Sequence, residues 1–143
     1  MYARVLLCYD GTREGRGALR QGADVVLAMK SEAFLLAVCQ SLVTSSIPDA
    51  VTPELMACEE RDATALLDEG VRWLQERGVK AEGALEFGNA VDCIAEAAER
   101  TRADLIVVGH KARGRLARWW TESDEENLLE RVHCSILVAV EPS

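Results

Sequence analysis

A chain of 143 residues, 49% hydrophobic and 28% charged, is long and apolar enough to bury a core as one globular domain. Its net charge of −8 argues against non-specific nucleic-acid binding, which needs a basic surface. No apolar run approaches the length a bilayer requires and no charged-then-apolar leader precedes the first strand, so a soluble cytoplasmic protein without membrane contact is expected.

Strands and helices alternate along the sequence. Val5-Leu-Leu-Cys-Tyr9 is a short apolar run of the kind buried on both faces of a parallel sheet. Asp10-Gly11-Thr12 follows as a turn that also caps a helix. Residues 13–29 place Leu19, Ala23, Val26 and Leu27 on one helical face. Gly15, Gly17 and Gly22 each weaken that helix by about 1 kcal/mol against alanine, so tertiary packing must compensate. Residues 33–39 form a second buried strand, and 40–52, with Ser, Thr and one Pro, a surface excursion. A long helix is expected over 53–77, with Ala63, Leu67, Val71 and Leu74 inward and Gly78 at its C-cap. Residues 79–87 alternate polar and apolar as a more exposed edge strand does. Gly88-Asn89 then turns the chain into a helix whose Val91, Ile94, Ala95 and Ala98 follow helical spacing.

Asp104-Leu-Ile-Val-Val-Gly109 is the next buried strand, ending on glycine. A basic, aromatic loop spans 110–121, and Ser123-Asp-Glu-Glu126 reads as a capping box opening a helix to residue 132. Cys134-Ser-Ile-Leu-Val-Ala-Val140 closes the set. Five strands alternating with four helices imply an α/β fold, an open doubly wound parallel sheet with helices on both faces and right-handed crossovers. A glycine turn between a strand end and a helix start presents unpaired N–H groups, where phosphates bind in such sheets.

The five cysteines (Cys8, Cys39, Cys58, Cys93, Cys134) include no C-x-x-C pair, and three lie in apolar strand runs. Buried, reduced thiols are expected rather than a redox or metal role. His110 and His133 are isolated from other ligand types, so no metal site is expected.

Taken in order and spacing, these residues resemble a single-domain universal stress protein from Arg4 to Val140. The features are Val5-Leu-Leu-Cys-Tyr-Asp10-Gly-Thr12, Gly88 with Ile94 and Ala98 behind it, the run from Asp104 to Gly109, and the ending Val132-His-Cys-Ser-Ile-Leu-Val-Ala-Val140. The resemblance implies a Rossmann-like, five-stranded sheet in the order 3-2-1-4-5 and a homodimer joined through the last strand. An apolar edge such as Ile136 to Val140 is an aggregation hazard when uncovered, which makes a two-fold partner there physically reasonable.

ATP-binding members of that family carry G-x-x-G, nine residues, then G-[ST]. On this sequence Gly109 takes the first glycine and Ser123 the hydroxyl, whereas Ala112 and Glu122 stand at the second and third glycines. The candidate nucleotide site implied by the resemblance is Asp10, Gly11, Thr12, Val38, Gly109, His110, Lys111 and Ser123, with ATP and Mg²⁺ as its ligand. Asp10 matches the family's acidic residue near the adenosine; capping the first helix with Thr12 is an equal reading. Val38 matches the position whose backbone meets adenine, although any buried strand supplies a valine. Alanine resists a left-handed backbone by about 1–2 kcal/mol. A carboxylate about 5 Å from phosphate costs roughly 3 kcal/mol per unit of like charge at an effective dielectric near 20.

Against these departures stand Lys111, Arg113, Arg115 and Arg118, clustered in one loop, and Gly114, which supplies a bend if the loop is re-registered. The blander reading makes the cluster solvated surface, with Arg118 and Glu122 paired four residues apart. Trp119 and Trp120 have three readings: packing over a vacated pocket, an interaction surface, or stacking on a base. The function expected is a universal stress protein-like homodimer with a degraded nucleotide site, acting through contact with an unidentified protein partner. The alternative is an ATP-binding switch or weak ATPase. An independent enzyme of the adenine-nucleotide hydrolase type is disfavoured, because Asp10 has no partnered base or nucleophile in a recognisable motif.

Overall fold

In the computed structural model, β1 (Arg4–Tyr9), α1 (Arg13–Met29), β2 (Glu32–Cys39), α2 (Pro53–Glu76), β3 (Ala81–Phe87), α3 (Ala90–Thr101), β4 (Leu105–Gly109), α4 (Glu122–Arg131) and β5 (Ser135–Ala139) follow one another. The structure describes residues 2–9, 13–39, 53–109 and 122–140. The strands form one parallel sheet in the order β3-β2-β1-β4-β5, as expected. No helix among the described residues is long and apolar enough to cross a membrane.

The two sides of the sheet bury alternate residues of the same strands, which is why β1, β2 and β4 read as unbroken apolar runs. Val5, Leu7, Tyr9, Leu35, Ala37 and Val107 pack against Leu19, Ala23 and Val26 of α1 and Leu67 and Leu74 of α2. Leu6, Cys8, Leu36, Val38, Ile106 and Val108 pack against Val91, Ile94 and Ala98 of α3 and Leu128 of α4. Helices that carry the chain toward β3 therefore cover one face, and those that carry it toward β5 cover the other. This is the outcome right-handed crossovers demand.

Of the residues expected to face inward, Leu67 and Leu74 of α2 and Val91, Ile94 and Ala98 of α3 are buried, while Ala63, Val71 and Ala95 are half-buried. Leu27 is a correction: it is 46% exposed, because Ala18 and Gly22 extend the buried stripe of α1 on the opposite side and turn Leu27 outward. The long helix closes as anticipated, with Gly78 just beyond it at φ 83°. Asp104 does more than begin a strand. Its carboxylate accepts from the backbone N–H of Ala3 at 2.8 Å and of Arg4 at 3.0 Å, tying the start of β1 to the start of β4. Asp104 N–H donates back to the Arg4 carbonyl at 2.9 Å.

One buried helical glycine has a packing reason. A Cβ on Gly70 of α2 would lie 2.7 Å from Leu35 Cδ2 and 3.0 Å from the Tyr9 ring, both in the core. Gly70→Ala gains about 1 kcal/mol of helix propensity but incurs about 1–3 kcal/mol of overpacking. The expected net loss is about 1 kcal/mol, read as a lower urea midpoint at unchanged slope.

Candidate functional site

Strand β1 feeds α1 on one face and β4 feeds α4 on the other, so the strand order reverses between their carboxyl ends. In doubly wound sheets that reversal of strand order is where ligands bind. Tyr9 pairs with Ala37, and Gly109 with Ala139, so the carboxyl ends of β1, β2, β4 and β5 align along this edge. Val38 lies on the α3 and α4 side of the sheet and is buried, while Gly109 is half-buried at the last position of β4. These two expected site residues are thus brought to the same edge. Asp10, Gly11, Thr12, His110, Lys111 and Ala112 lie outside the described residues, as do the basic cluster and both loop tryptophans. Asp10 follows Tyr9 in sequence, and His110 follows Gly109.

The start of α4 differs from expectation by one residue. The helix opens at Glu122, so Ser123 stands within its first turn rather than ahead of it as the N-cap. Glu122, Asp124, Glu125 and Glu126 then all fall within the first five helical positions. In the sequence, Asp124, Glu125 and Glu126 belong to a capping box and Glu122 alone stands where the family pattern has glycine. Acidic residue types in a first turn suit the helix dipole, whose N-terminal pole is also where phosphates bind.

Asn89 caps the neighbouring helix α3, its side-chain oxygen accepting from Asp92 N–H at 3.2 Å. Asp92 in turn pairs with Arg131 at the far end of α4, and with the fully buried Leu128 this fixes α4 against α3.

Cys8, Cys93 and Cys134 are not joined in disulfides. Burial, then the Glu86, Glu96 and Asp92 carboxylates, push the Cys93 thiol above its ordinary value. Burial and then Asp104 do the same at Cys134. Both stay protonated at neutral pH and are poor nucleophiles. Among the described residues no three of His, Cys, Asp and Glu gather into a group able to hold a metal ion.

Comparison with known proteins bears on this geometry. The family model described as the universal stress protein family matches residues 1–139. A universal stress protein of Methanocaldococcus jannaschii is 24% identical over 143 residues, covering 99% of this chain and 84% of its own length. A solved universal stress protein-family structure from Burkholderia pseudomallei superposes with a TM-score of 0.77 at 21% identity, over 99% of this chain and 97% of the other. A universal stress protein solved in complex with cAMP gives 0.70 at 21% identity, over 99% and 98% of the two chains. One from Arabidopsis thaliana with AMP bound gives 0.66 at 18% identity, over 99% and 93%.

Proposed function

The chain belongs to the universal stress protein family, and from that premise we propose that it acts in a stress response through protein–protein contact, as a homodimer joined at β5, with a nucleotide site too weakened to hold ATP in normal working. The observation that carries this reading is the acidic opening of α4, where Glu122 replaces a glycine and Asp124, Glu125 and Glu126 follow it. Phosphate at that pole meets like charge where an ATP-binding relative offers bare N–H groups. Ala112 removes a second glycine from the same pattern.

Purified protein, denatured and analysed by ion-pair chromatography, is expected to release no adenine nucleotide. Stoichiometric ATP or AMP in the extract would overturn the reading. It would favour instead a nucleotide-responsive switch, the alternative supported by the cAMP and AMP held by solved relatives and by Lys111, Arg113, Arg115 and Arg118 in this chain.

The dimer part of the proposal rests on β5. As the outer strand of the sheet it leaves one edge without a strand partner among the described residues, with Val138 36% and Val140 57% exposed. A lysine at that edge blocks strand addition. Val138→Lys is therefore expected to halve the mass measured by light scattering without unfolding the chain; an unchanged dimer mass would place the interface elsewhere.

A further inference from the structure

Between α1 and α2, on the face away from α3 and α4, a cleft of about 240 Å³ opens beside the end of β1. Tyr9 and Gly70 line it, and Arg16, Arg20, Glu69 and Trp73 surround them. Nothing in the nucleotide reading uses this cleft.

Two of these groups already have partners within the chain. Arg16 lines the cleft beside Tyr9 and lies 4.0 Å from Glu69 Oε1. Trp73 is half-buried, and the Arg77 guanidinium stacks 3.6 Å from its ring centroid. A guanidinium carries five donors in a fixed plane, more than a single carboxylate at 4.0 Å engages. The indole supplies a flat apolar wall. Half-buried and stacked by Arg77, it loses little freedom on binding.

We propose that this cleft is a second ligand site, for a planar aromatic carboxylate of one or two rings, with the ring against Trp73 and the carboxylate on Arg16. The Glu69 carboxylate marks the anion's position. Its 4.0 Å contact with Arg16 joins two exposed side chains, a kind of pair that contributes little and is readily exchanged for another carboxylate. Size limits the ligand, since 240 Å³ lies below the roughly 300–1,000 Å³ of pockets that enclose drug-sized molecules. Charge points the same way: Arg16 gives the cleft a cation in a chain of net charge −8.

The test is a titration of ¹⁵N-labelled protein with 2-naphthoate, followed in amide and indole N–H correlation spectra. Saturable shifts are expected at Gly70 and at the Trp73 indole, the latter assigned by its loss in Trp73→Phe. Arg16→Gln, an exposed change that leaves the remaining spectrum in place, is expected to weaken binding about tenfold, while Arg16→Lys falls between. Neutral 2-naphthylmethanol is expected to give no saturation, and inorganic phosphate no shift at Trp73. Shifts that fail to saturate, equal binding of the neutral alcohol, or indifference to Arg16→Gln would each overturn the proposal. AMP added as competitor separates this site from the carboxyl ends of β1 and β4, because it is expected not to displace 2-naphthoate.

Discussion

Ala112→Gly combined with Glu122→Gly is expected to raise affinity for ATP with Mg²⁺ by about a hundredfold or more. Two costs are lifted together. Restoring glycine at 112 removes about 1–2 kcal/mol of resistance to a left-handed bend, if phosphate binding requires one there. Removing the Glu122 carboxylate lifts roughly 3 kcal/mol per unit of like charge at about 5 Å. Solvent screening lowers that second figure, and a hundredfold corresponds to about 2.7 kcal/mol, within what remains. Glu122→Gln separates charge from backbone freedom and is expected to give the larger part of the gain alone. The gain is bounded by Asp124, Glu125 and Glu126, which stay at the same helix pole. Anisotropy of a fluorescent ATP analogue measures the series. Equal affinities for native and double-substituted chains would show that neither position controls the site.

Ile106→Ala is expected to lower stability by about 3–4 kcal/mol, near the middle of the range for large-to-small changes at fully buried aliphatic positions. Ile106 is 0% exposed in β4, paired with Leu6 on one side and Ile136 on the other. It shares its cluster with Ile94 of α3 and Leu128 of α4, so the cavity would open beneath both helices of that face. Ile136, on the outer strand and only half-buried, is the control. Ile136→Ala is expected to cost about half as much, because part of its surface already meets water. Urea unfolding reads both through the midpoint at constant slope. A loss under about 1 kcal/mol at Ile106 would mean that the helices collapse onto the gap.

The fold was legible because burial on both faces leaves an unmistakable trace. β1 and β4 are almost wholly apolar, and a chain that alternates such strands with amphipathic helices has few topologies open to it. Side-chain direction was less legible. Leu27 falls at the margin of the α1 stripe, and only the buried Ala18 and Gly22 reveal which way that stripe leans. Nothing local marks Gly70, since the need for it comes from Leu35 and Tyr9, far away in sequence. Asp104 likewise looked like a strand boundary; its hydrogen bonds reach back to Ala3 and Arg4. Of the residues expected at the nucleotide site, Val38 and Gly109 stand at the carboxyl edge of the sheet. The acidic opening of α4 was legible as Ser123-Asp-Glu-Glu126; the structure adds Glu122 to the helix itself.

The most direct measurement is a calorimetric titration of nucleotide-stripped native protein with ATP and Mg²⁺, carried to the millimolar concentrations of the cell. The expected result is no saturable heat, with the same titration of the Ala112→Gly, Glu122→Gly chain showing a single binding isotherm. Saturable binding to the native chain in that range would contradict the central claim: the carboxylates at the start of α4 would then turn away from the phosphates, and the protein would act as a nucleotide-responsive switch.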